Sequence, residues 1–544
     1  MNQNFELIAK TFQGLEEVLA QELTELGADN IEIGRRMVSF TGDKAIMYKA
    51  NFCLRTAIRI LKPIKHFTAK NPDEVYEAVK SINWEDYLDN MHSFAVDAVV
   101  FSNEFRHSKF VAYKVKDAIV DYFREKTGNR PSVRISNPDL AINIHVAENE
   151  CTLSLDSSGE SLHRRGYRQE QVEAPLNEVL AAGMLLMTGW RGECDLIDPM
   201  CGSGTIPIEA ALIARNIAPG VFRKEFGFEK WKDFDQALFD EIYNDDSQER
   251  EFTHKIYGYD NNPRANEIAT HNVKAAGVSN DVILKLQPFQ VFEQPKEKSI
   301  IVTNPPYGER ISTDDLLGLY QMIGERFKHE FTGNDAWVLS YRDECFDQIG
   351  LKPSRKIHLF NGSLDCQFRQ YQIFDGKYKA FRSDNPDKEF KPNRDEAPRQ
   401  RREGDRPFNK ERRSFGSRDE KRDDRRGGFR KDGERREGFR KEGVRREGFR
   451  KEGFERKEGF RKDGERSESF EGRNFRGERD NFRGRKAGDG KDFTRERKSD
   501  FKYKEDMKPR QPRPSTDDGR PQRPAAPRYM HRRRDIEETG SNED

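Results

Sequence analysis

Apolar positions near the amino terminus recur at two spacings, one typical of helices and one typical of strands. Residues 15–26 carry apolar side chains three and four positions apart, as a helix with one buried face does, and residues 45–53 repeat this pattern. Short apolar runs at 5–9 and 38–40 have the length of strands. Strands and helices in this order predict a small α+β unit of ferredoxin-like kind over residues 1–60.

A similar mixture of patterns predicts a second α+β unit over residues 61–158. The apolar spacing predicts helices at 75–82 and 109–126 and strands at 94–101, 141–146 and 151–155. The helix at 109–126 is rich in lysine and arginine, so this unit is a candidate for contacting a polyanion.

The third region, residues 159–382, contains a predicted strand that runs into a glycine-rich turn and then a helix. The apolar run 194–197 ends at Asp198, and Gly202 and Gly204 follow. Glycine adopts backbone conformations closed to other residues, which lets a ligand approach the main chain. Ligands of open α/β sheets bind beyond the carboxyl ends of the strands, so the turn predicts a small-ligand site. A turn that only joins a strand to its helix is the alternative.

A second apolar stretch also ends in an acidic residue, Asp260. Its carboxylate is placed to accept hydrogen bonds from ribose hydroxyls, as the acidic residue of nucleotide-binding sheets does. The distance in sequence from the glycine turn is much longer than in a dinucleotide-binding unit, because the aromatic and charged segment 222–252 intervenes. The pattern therefore favours an adenosine cofactor other than NAD.

The buried strand predicted at 299–303 leads into Asn304-Pro305-Pro306-Tyr307. An aromatic amine is a poor nucleophile, and acceptors at the Asn304 side chain and the Pro305 carbonyl can direct its lone pair toward a methyl donor. The two prolines hold these acceptors in place, and Tyr307 offers a face to an extruded base. These features predict methyl transfer from S-adenosylmethionine to the exocyclic amine of a base. A proline-rich loop without this role is the alternative.

These motifs resemble those of the THUMP-domain RNA methyltransferases, most closely the bacterial guanine-N2 methyltransferases of large-subunit ribosomal RNA. The resemblance covers about residues 1–382 and is carried by the glycine turn and the segments 162–168, 174–178, 215–220 and 304–311. It implies an α/β fold with a class I, Rossmann-like methyltransferase domain at 159–382, preceded by the ferredoxin-like unit and by a THUMP RNA-binding domain at 61–158. It also implies S-adenosylmethionine as the cofactor and a guanine in structured RNA as the target.

The resemblance further implies roles for individual residues. The methionine part of the cofactor would be framed by Asp198, Gly202 and Gly204, and the ribose would contact Asp260. The cofactor pocket would be bordered by Pro175 and Asn177, and the target base would be received by Asn304, Pro305, Pro306 and Tyr307.

Two departures from the family pattern qualify these expectations. Many methyltransferases carry an acidic residue near the adenine, and this chain has Gln287-Pro288-Phe289 at that place, so adenine contacts are expected from Phe289 or from the backbone. Some members of the family carry a second methyltransferase domain, which is not evident in this sequence, so a second modification is not expected.

Two groups of basic residues are candidates for RNA contact. The first lies on and after the helix at 109–126 and comprises Lys109, Lys114, Lys116, Arg124, Lys126, Arg130 and Arg134. Acidic residues are interleaved with them, so an ordinary solvated helix fits equally well. The second group, Arg164, Arg165 and Arg168, precedes the glycine turn and is expected to contact RNA near the active site, with a linker role as the alternative.

The carboxyl-terminal residues 383–544 differ sharply in composition from the rest. They hold 51 of the 97 basic and 39 of the 96 acidic residues, so an acidic body of net charge −11 precedes a basic tail of net charge +12. More than half of the tail is charged, and a decapeptide with Phe429, Phe439 and Phe449 recurs in it. Such a segment is predicted to be disordered. Its arginine, glycine and phenylalanine suit nonspecific RNA contacts, and a purely solubilising extension is the alternative.

The remaining composition limits the class of protein. The six cysteines are scattered without a Cys-x-x-Cys pair, which predicts reduced thiols and no metal site. No segment has the roughly 20 apolar residues of a membrane span. The amino terminus has no signal-peptide core, so a cytoplasmic location is expected.

Three functional hypotheses follow. The first is a ribosomal RNA guanine-N2 methyltransferase acting on large-subunit RNA or its precursor particles. The second keeps the chemistry and changes the substrate to transfer RNA guanine or DNA adenine, and the absence of an evident DNA-recognition domain counts against DNA. The third is an RNA-binding ribosome assembly factor in which methylation is secondary.

Overall fold

The structure is a computed structural model that describes residues 4–173, 175–295, 297–307 and 313–374, with the backbone alone at 313 and 314. The expected disorder and RNA contacts of the tail at 383–544 lie outside the described residues.

The described residues form ten α-helices and fifteen strands. The helices are α1 Glu16–Leu26, α2 Lys44–Cys53, α3 Pro72–Lys80, α4 Ser108–Thr127, α5 Glu178–Thr188, α6 Thr205–Ala214, α7 Gln236–Asn244, α8 Pro263–Ala275, α9 Thr313–Glu330 and α10 Asp343–Ile349. The strands are β1 Phe5–Lys10, β2 Asp29–Gly34, β3 Met37–Gly42, β4 Arg59–Thr68, β5 Ser93–Phe101, β6 Ser132–Val133, β7 Leu140–Ala147, β8 Glu150–Asp156, β9 Asp195–Asp198, β10 Ile256–Asp260, β11 Val282–Leu286, β12 Ser299–Thr303, β13 Asp335–Ser340, β14 Arg355–Asn361 and β15 Leu364–Gln372.

The first eight strands form one sheet in the order β2-β3-β1-β4-β8-β7-β5-β6. The strand β4 joins the two halves of this sheet. Its residues 59–61 pair with β1, with Leu61 opposite Ile8, and its residues 61–68 pair with β8. The domain boundary predicted at residue 60 therefore falls within a continuous strand, and it stays a prediction.

Most elements of this amino-terminal part agree with the sequence patterns, and three strands were missed, of which β6 has only two residues, too few to show a pattern. The helices predicted at 15–26 and 109–126 correspond to α1 and α4. The strand β2 was missed because four of its six residues are exposed and none is fully buried, so it has no apolar run. The strand β4 was missed because lysines and Pro63 interrupt its apolar positions.

The second sheet has the order β11-β10-β9-β12-β13-β15-β14. Its first five strands are parallel, and β15 runs antiparallel to both β13 and β14. Alternate residues of the central strands face two separate cores. Leu196 packs in the core that includes α5 and α6, whereas Ile197 packs in the core that includes α9 and α10. The sheet is therefore covered on both faces, as in a class I methyltransferase fold.

The aromatic segment 222–252 packs against the amino-terminal unit. The Phe228 ring stacks on Tyr48 of α2 at a centroid distance of 4.3 Å, and Phe239 of α7 meets Phe52 edge to face at 6.2 Å. Phe228 and Phe239 belong to the same hydrophobic core as α1 and α2. The segment 222–252 is inserted between β9 and β10. It therefore joins the domain of the second sheet to the amino-terminal unit.

None of the described helices combines the length and apolar character that would let it cross a membrane.

Candidate active site

Three polar residues lie at the carboxyl ends of three neighbouring strands. Asp198 ends the central strand β9, Asp260 ends β10 on one side of it, and Asn304 follows β12 on the other side. These strands are parallel, so the three residues lie at one edge of the sheet. This edge is where open α/β sheets bind ligands.

The glycine turn after β9 leaves its backbone open at Gly202. Gly202 and Gly204 have φ values of 54° and 81°, a region that favours glycine. A Cβ atom at Gly202 would meet nothing within 4 Å, whereas one at Gly204 would lie 3.3 Å from the Cβ of Ala269 in α8. Gly204 therefore allows α6 and α8 to pack closely, and Gly202 leaves room for a ligand above the main chain.

Asp198 is a buried carboxyl group in a site built of backbone and hydroxyl donors. It is 1% exposed, and its Oδ1 accepts hydrogen bonds from Thr303 Oγ1 at 3.0 Å and from the Met200 amide at 3.3 Å. Burial, together with the nearby charge of Asp260, raises the pKa of Asp198 to about 7, although both hydrogen bonds lower it. Asp198 can therefore change its charge near neutral pH.

Asp260 holds the turn against the end of β10. Its Oδ2 accepts a hydrogen bond from the Gly202 amide at 2.9 Å, and its Oδ1 accepts one from the Asn262 amide at 2.8 Å. Each carboxylate oxygen has a further lone pair for a ligand hydroxyl. The ribose contact of Asp260 stays a prediction.

The side-chain oxygen of Asn304 is buried and finds no hydrogen-bond donor among the residues that the structure describes. A buried acceptor without a partner costs about 1–3 kcal/mol, and such groups in native structures are uncommon. Pro305 is buried and Pro306 is exposed. An amine that reached Asn304 Oδ1 would satisfy this acceptor.

Tyr307 is held more tightly than its expected stacking role suggests. The residue is 6% exposed, and its hydroxyl oxygen accepts a hydrogen bond from Asn361 Nδ2 at 2.6 Å. Its ring meets Tyr341 edge to face at 5.5 Å. Burial raises the pKa of Tyr307, so it stays a neutral phenol. In this structure little of the ring is open to a base, and its stacking role stays a prediction.

The other expected cofactor contacts have mixed outcomes. Pro175 is half-buried, and Asn177 caps α5, with its Oδ1 accepting a hydrogen bond from the Val179 amide at 2.9 Å. The Phe289 ring is buried and packs on Phe331 at 5.6 Å. In this structure little of the Phe289 ring is open to an adenine, and the adenine contact by Phe289 or by the backbone stays a prediction.

Two of the three linker arginines are internal, which contradicts their prediction as RNA contacts. Arg165 is 2% exposed, and its Nη1 donates to the Leu162 carbonyl at 2.8 Å. Arg168 is largely buried, and its Nε donates to Glu178 Oε1 at 2.6 Å. Their positive charges are neutralised inside the protein by carboxylates, and charge composition alone did not reveal this. Arg164, whose side chain is 66% exposed beside Glu160, stays available.

The basic side chains on and after α4 differ in their surroundings. Four of its basic residues, Lys114, Lys116, Arg124 and Lys126, form ion pairs with acidic neighbours, while Lys109, Arg130 and Arg134 are exposed. Sequence reasoning missed two exposed aromatic residues near Lys109: Phe110 is 50% and Tyr113 is 59% exposed. Exposed aromatic rings beside basic residues suit contacts with unpaired bases.

Three family models match the chain. The RlmL ferredoxin-like domain matches residues 6–61, the THUMP domain matches residues 69–156, and the RMKL-like methyltransferase domain matches residues 165–370.

Two relatives show how far the similarity extends. The ribosomal RNA large subunit methyltransferase K/L of Syntrophotalea carbinolica is 38% identical over 400 residues, which are 71% of this chain and 56% of that protein. A putative RNA methyltransferase of Synechocystis is 38% identical over 369 residues, which are 67% of this chain and 96% of that protein. The chain thus spans about half the length of the K/L relatives and nearly all of the shorter one.

Two solved structures are similar to this chain over most of the described residues. The crystal structure of a putative methyltransferase complexed with SAH has a TM-score of 0.63 at 31% identity, covering 69% of this chain and 100% of that chain. A possible methylase from Clostridium difficile has a TM-score of 0.64 at 33% identity, with the same two coverages.

Proposed function

The chain belongs to the THUMP-domain methyltransferases that combine RlmL ferredoxin-like, THUMP and RMKL-like methyltransferase domains, and on this premise we propose that it methylates the exocyclic N2 amine of a guanine in large-subunit ribosomal RNA. The cofactor is S-adenosylmethionine, and a solved structure of the same fold is described as complexed with SAH, the product that this cofactor leaves. The observation that carries the finer proposal is the buried Asn304 Oδ1, which has no donor among the described residues.

The carboxyl edge of the second sheet has the groups that this cofactor requires. The open backbone at Gly202 gives room for it, and the Asp198 carboxylate is a partner for the methionine ammonium group. Asp260 keeps lone pairs for the ribose hydroxyls. When bound, S-adenosylmethionine supplies an electrophilic methyl group on a sulfonium sulfur.

Asn304 and Pro305 prepare the target amine. Asn304 Oδ1 accepts one amine hydrogen and the Pro305 carbonyl accepts the other, which directs the nitrogen lone pair out of the ring plane. As the new nitrogen–carbon bond forms, the nitrogen becomes positive, and these two oxygens stabilise that charge. The amine then becomes acidic enough to release a proton to water, so no dedicated base is required.

The strand end and the two prolines make this arrangement rigid before the substrate arrives. Asn304 directly follows β12, whose five residues are all buried. Pro305 and Pro306 restrict the backbone that follows. Holding reacting groups in place lowers the entropy cost of the reaction.

The choice of RNA rests on the relatives and on the amino-terminal surface. The K/L relatives are named ribosomal RNA large subunit methyltransferases. Lys109, Phe110 and Tyr113 offer an exposed basic and aromatic surface on α4, and Arg164 is exposed before the methyltransferase domain. We keep 1–60, 61–158 and 159–382 as the proposed domains, and a cytoplasmic location stays a prediction.

The test is transfer of labelled methyl from S-adenosylmethionine to large-subunit RNA from cells that lack this protein. The product nucleoside is identified by mass for the wild type, for Asn304→Ala and for Asn280→Ala, an exposed asparagine at the opposite edge of the sheet. We expect N2-methylguanosine from the wild type and Asn280→Ala, and a loss of roughly 100-fold or more in Asn304→Ala.

The outcomes separate the rival functions. Label in transfer RNA and not in ribosomal RNA would keep the chemistry and change the substrate. Label on adenine would contradict the choice of guanine N2. If no nucleic acid accepts methyl although the protein binds the cofactor product, the enzyme proposal fails and the assembly factor becomes the better explanation.

A further inference from the structure

The segment 165–170 contacts the glycine turn directly, and Arg168 makes most of these contacts. Its Nη1 donates to Ser203 Oγ at 2.9 Å, and its Nη2 donates to Thr205 Oγ1 at 2.9 Å. Nε donates to Glu178 Oε1 at 2.6 Å, and Nη2 also lies 3.3 Å from the Leu176 carbonyl oxygen. One guanidinium group therefore joins both sides of Gly204 to the start of α5.

Asn272 of α8 binds the same segment and the same turn from another side. Its Oδ1 accepts hydrogen bonds from the amides of Gln169 and Glu170 at 2.9 and 3.3 Å. Its Nδ2 donates to the carbonyls of Glu170 and Ser203, both at 3.0 Å. Asn272 is fully buried, so Ser203 is held through its side chain by Arg168 and through its backbone by Asn272.

The other end of the segment is attached to the amino-terminal unit. Arg165 Nη2 donates to the Arg55 carbonyl, two residues beyond the end of α2, and Arg165 Nε lies 3.5 Å from Glu209 of α6. Tyr167 donates its hydroxyl hydrogen to the same Glu209 oxygen at 2.9 Å. The segment is thus bonded to its surroundings at both ends and has little freedom to shift.

The Arg168 contacts do more than neutralise a buried acid. A lysine would be enough to pair with Glu178, but only a planar guanidinium presents several donors at once in fixed directions. Ser203 and Thr205 flank Gly204, and Gly202 lies two residues before it, where the backbone is open to the cofactor. A shift of Ser203 would therefore move the surface against which the cofactor lies.

We propose that Arg168 is a positioning residue for S-adenosylmethionine: by binding Ser203 and Thr205 it holds the glycine turn in the shape that receives the cofactor. This inference rests on the cofactor site of the proposed function and assigns to Arg168 a role that does not involve RNA.

The test is the dissociation constant of SAH (S-adenosylhomocysteine, the product left after methyl transfer), measured by calorimetry on the full chain. Arg168→Lys keeps the positive charge beside Glu178 but loses the paired hydrogen bonds to Ser203 and Thr205. We expect its Kd for SAH to rise roughly 10-fold or more, measured at a temperature well below the melting temperature of the variant. Arg164→Lys, a neighbouring exposed arginine, should bind SAH as the wild type does.

Steady-state kinetics add a readout that a purely structural role would not produce. The KM for S-adenosylmethionine should rise in Arg168→Lys, whereas kcat at saturating cofactor should stay near the wild-type value. Wild-type affinity for SAH in a folded Arg168→Lys variant would overturn the proposal.

Thr205→Val keeps the inference testable if Arg168→Lys does not fold. Valine has nearly the shape of threonine but offers no acceptor to Arg168, so we expect a smaller rise in the Kd for SAH in the same direction. An unchanged Kd in Thr205→Val would contradict the proposal. A wild type that binds SAH but does not methylate guanine would contradict the proposed function alone, and a wild type that does not bind SAH would overturn both.

Discussion

Two aspartates at opposite ends of one four-residue strand have very different surroundings. Asp198 ends β9 at the carboxyl edge of the sheet, and Asp195 begins the same strand at the amino edge. Both are buried. Asp195 Oδ1 accepts a hydrogen bond from the Lys255 amide at 2.8 Å and lies 3.6 Å from His254 Nδ1. Asp198 has no basic side chain as an ion-pair partner among the described residues, and burial and Asp260 raise its pKa to about 7.

The difference shows how the two edges of the sheet are used. At the amino edge, the carboxylate is satisfied by the protein itself, through a neighbouring strand and a histidine that also contacts Glu297. At the carboxyl edge, Asp198 lacks a countercharge and Asn304 lacks a donor among the described residues. The amino edge therefore contributes to stability, and the carboxyl edge is arranged for ligands.

The largest expected effect on cofactor binding comes from removing the charge at the carboxyl edge. Asp198→Asn keeps the shape but cannot neutralise the ammonium group of the cofactor, so we expect the Kd for SAH to rise roughly 10- to 100-fold, about 1.4 kcal/mol for each factor of ten. Calorimetry checks this, with Asp195→Asn as the matched variant. Equal losses in the two variants would erase the proposed distinction between the edges.

The second effect is the pH dependence of the same contact. Because the pKa of Asp198 is raised to about 7, the free protein carries a neutral carboxyl group below that pH and must ionise it to pair with the ammonium group. We expect affinity for SAH to fall toward roughly tenfold per pH unit below pH 7 and to lose this dependence in Asp198→Asn. A flat profile in the wild type would show that this carboxyl group does not control binding.

The same raised pKa has the opposite effect on the stability of the cofactor-free protein. Between pH 3.8 and about 7, the native state keeps a proton on Asp198. The unfolded chain has already released this proton, because the pKa of the carboxyl group there has its usual value of 3.8. The contribution of this group is therefore fully present below pH 3.8 and is lost as the pH rises through about 7. Urea unfolding at pH 5 and pH 7.5 should show a larger loss over this interval in the wild type than in Asp198→Asn.

A smaller effect is expected at the rim of the carboxyl edge. Asn361→Ala removes the hydrogen bond to the Tyr307 hydroxyl but leaves Asn304 and the cofactor residues in place. We expect kcat to fall a few-fold, consistent with one hydrogen bond of about 1 kcal/mol, with an unchanged Kd for SAH. Asn361→Leu keeps a similar volume but has no hydrogen-bonding group, so its kcat should fall as in Asn361→Ala; full activity in Asn361→Ala would exclude a positioning role.

The smallest functional effect is expected at the amino edge. Asp195→Ala leaves the Lys255 amide without its acceptor, so the free energy of unfolding should fall by about 1–3 kcal/mol, as measured by urea denaturation. Methyl transfer and the Kd for SAH should stay at wild-type values under conditions where the variant is folded. Weaker SAH binding would mean that the two edges are coupled through β9.

The local patterns predicted most of the amino-terminal elements and four elements of the methyltransferase domain, but few of the contacts between them. Apolar spacing located α1, α2 and α4, and the glycine turn and Asn304 were placed at strand ends as the structure has them. The strand β4 was missed because charged residues and a proline interrupt its pattern. The insertion at 222–252 was recognised only as extra length, because aromatic content does not reveal which surface it will cover.

The linker arginines show why charge alone misled. Arg164, Arg165 and Arg168 look alike in sequence, but one is exposed and two are buried beside Glu209 and Glu178. These acids come from helices that follow the arginines in the chain, and their proximity arises only when the second sheet assembles.

The sequence by itself determined the family, most helices and strands of the amino-terminal part and the residue types at the ends of β9, β10 and β12, because these depend on local spacing and on short motifs. The tertiary structure decided which of these groups are left without partners and which are satisfied. Burial, the approach of Asp260 to Asp198 and the contacts of Arg168 with the glycine turn join residues that are distant in sequence, and the pKa of a carboxyl group or the role of an arginine depends on those neighbours.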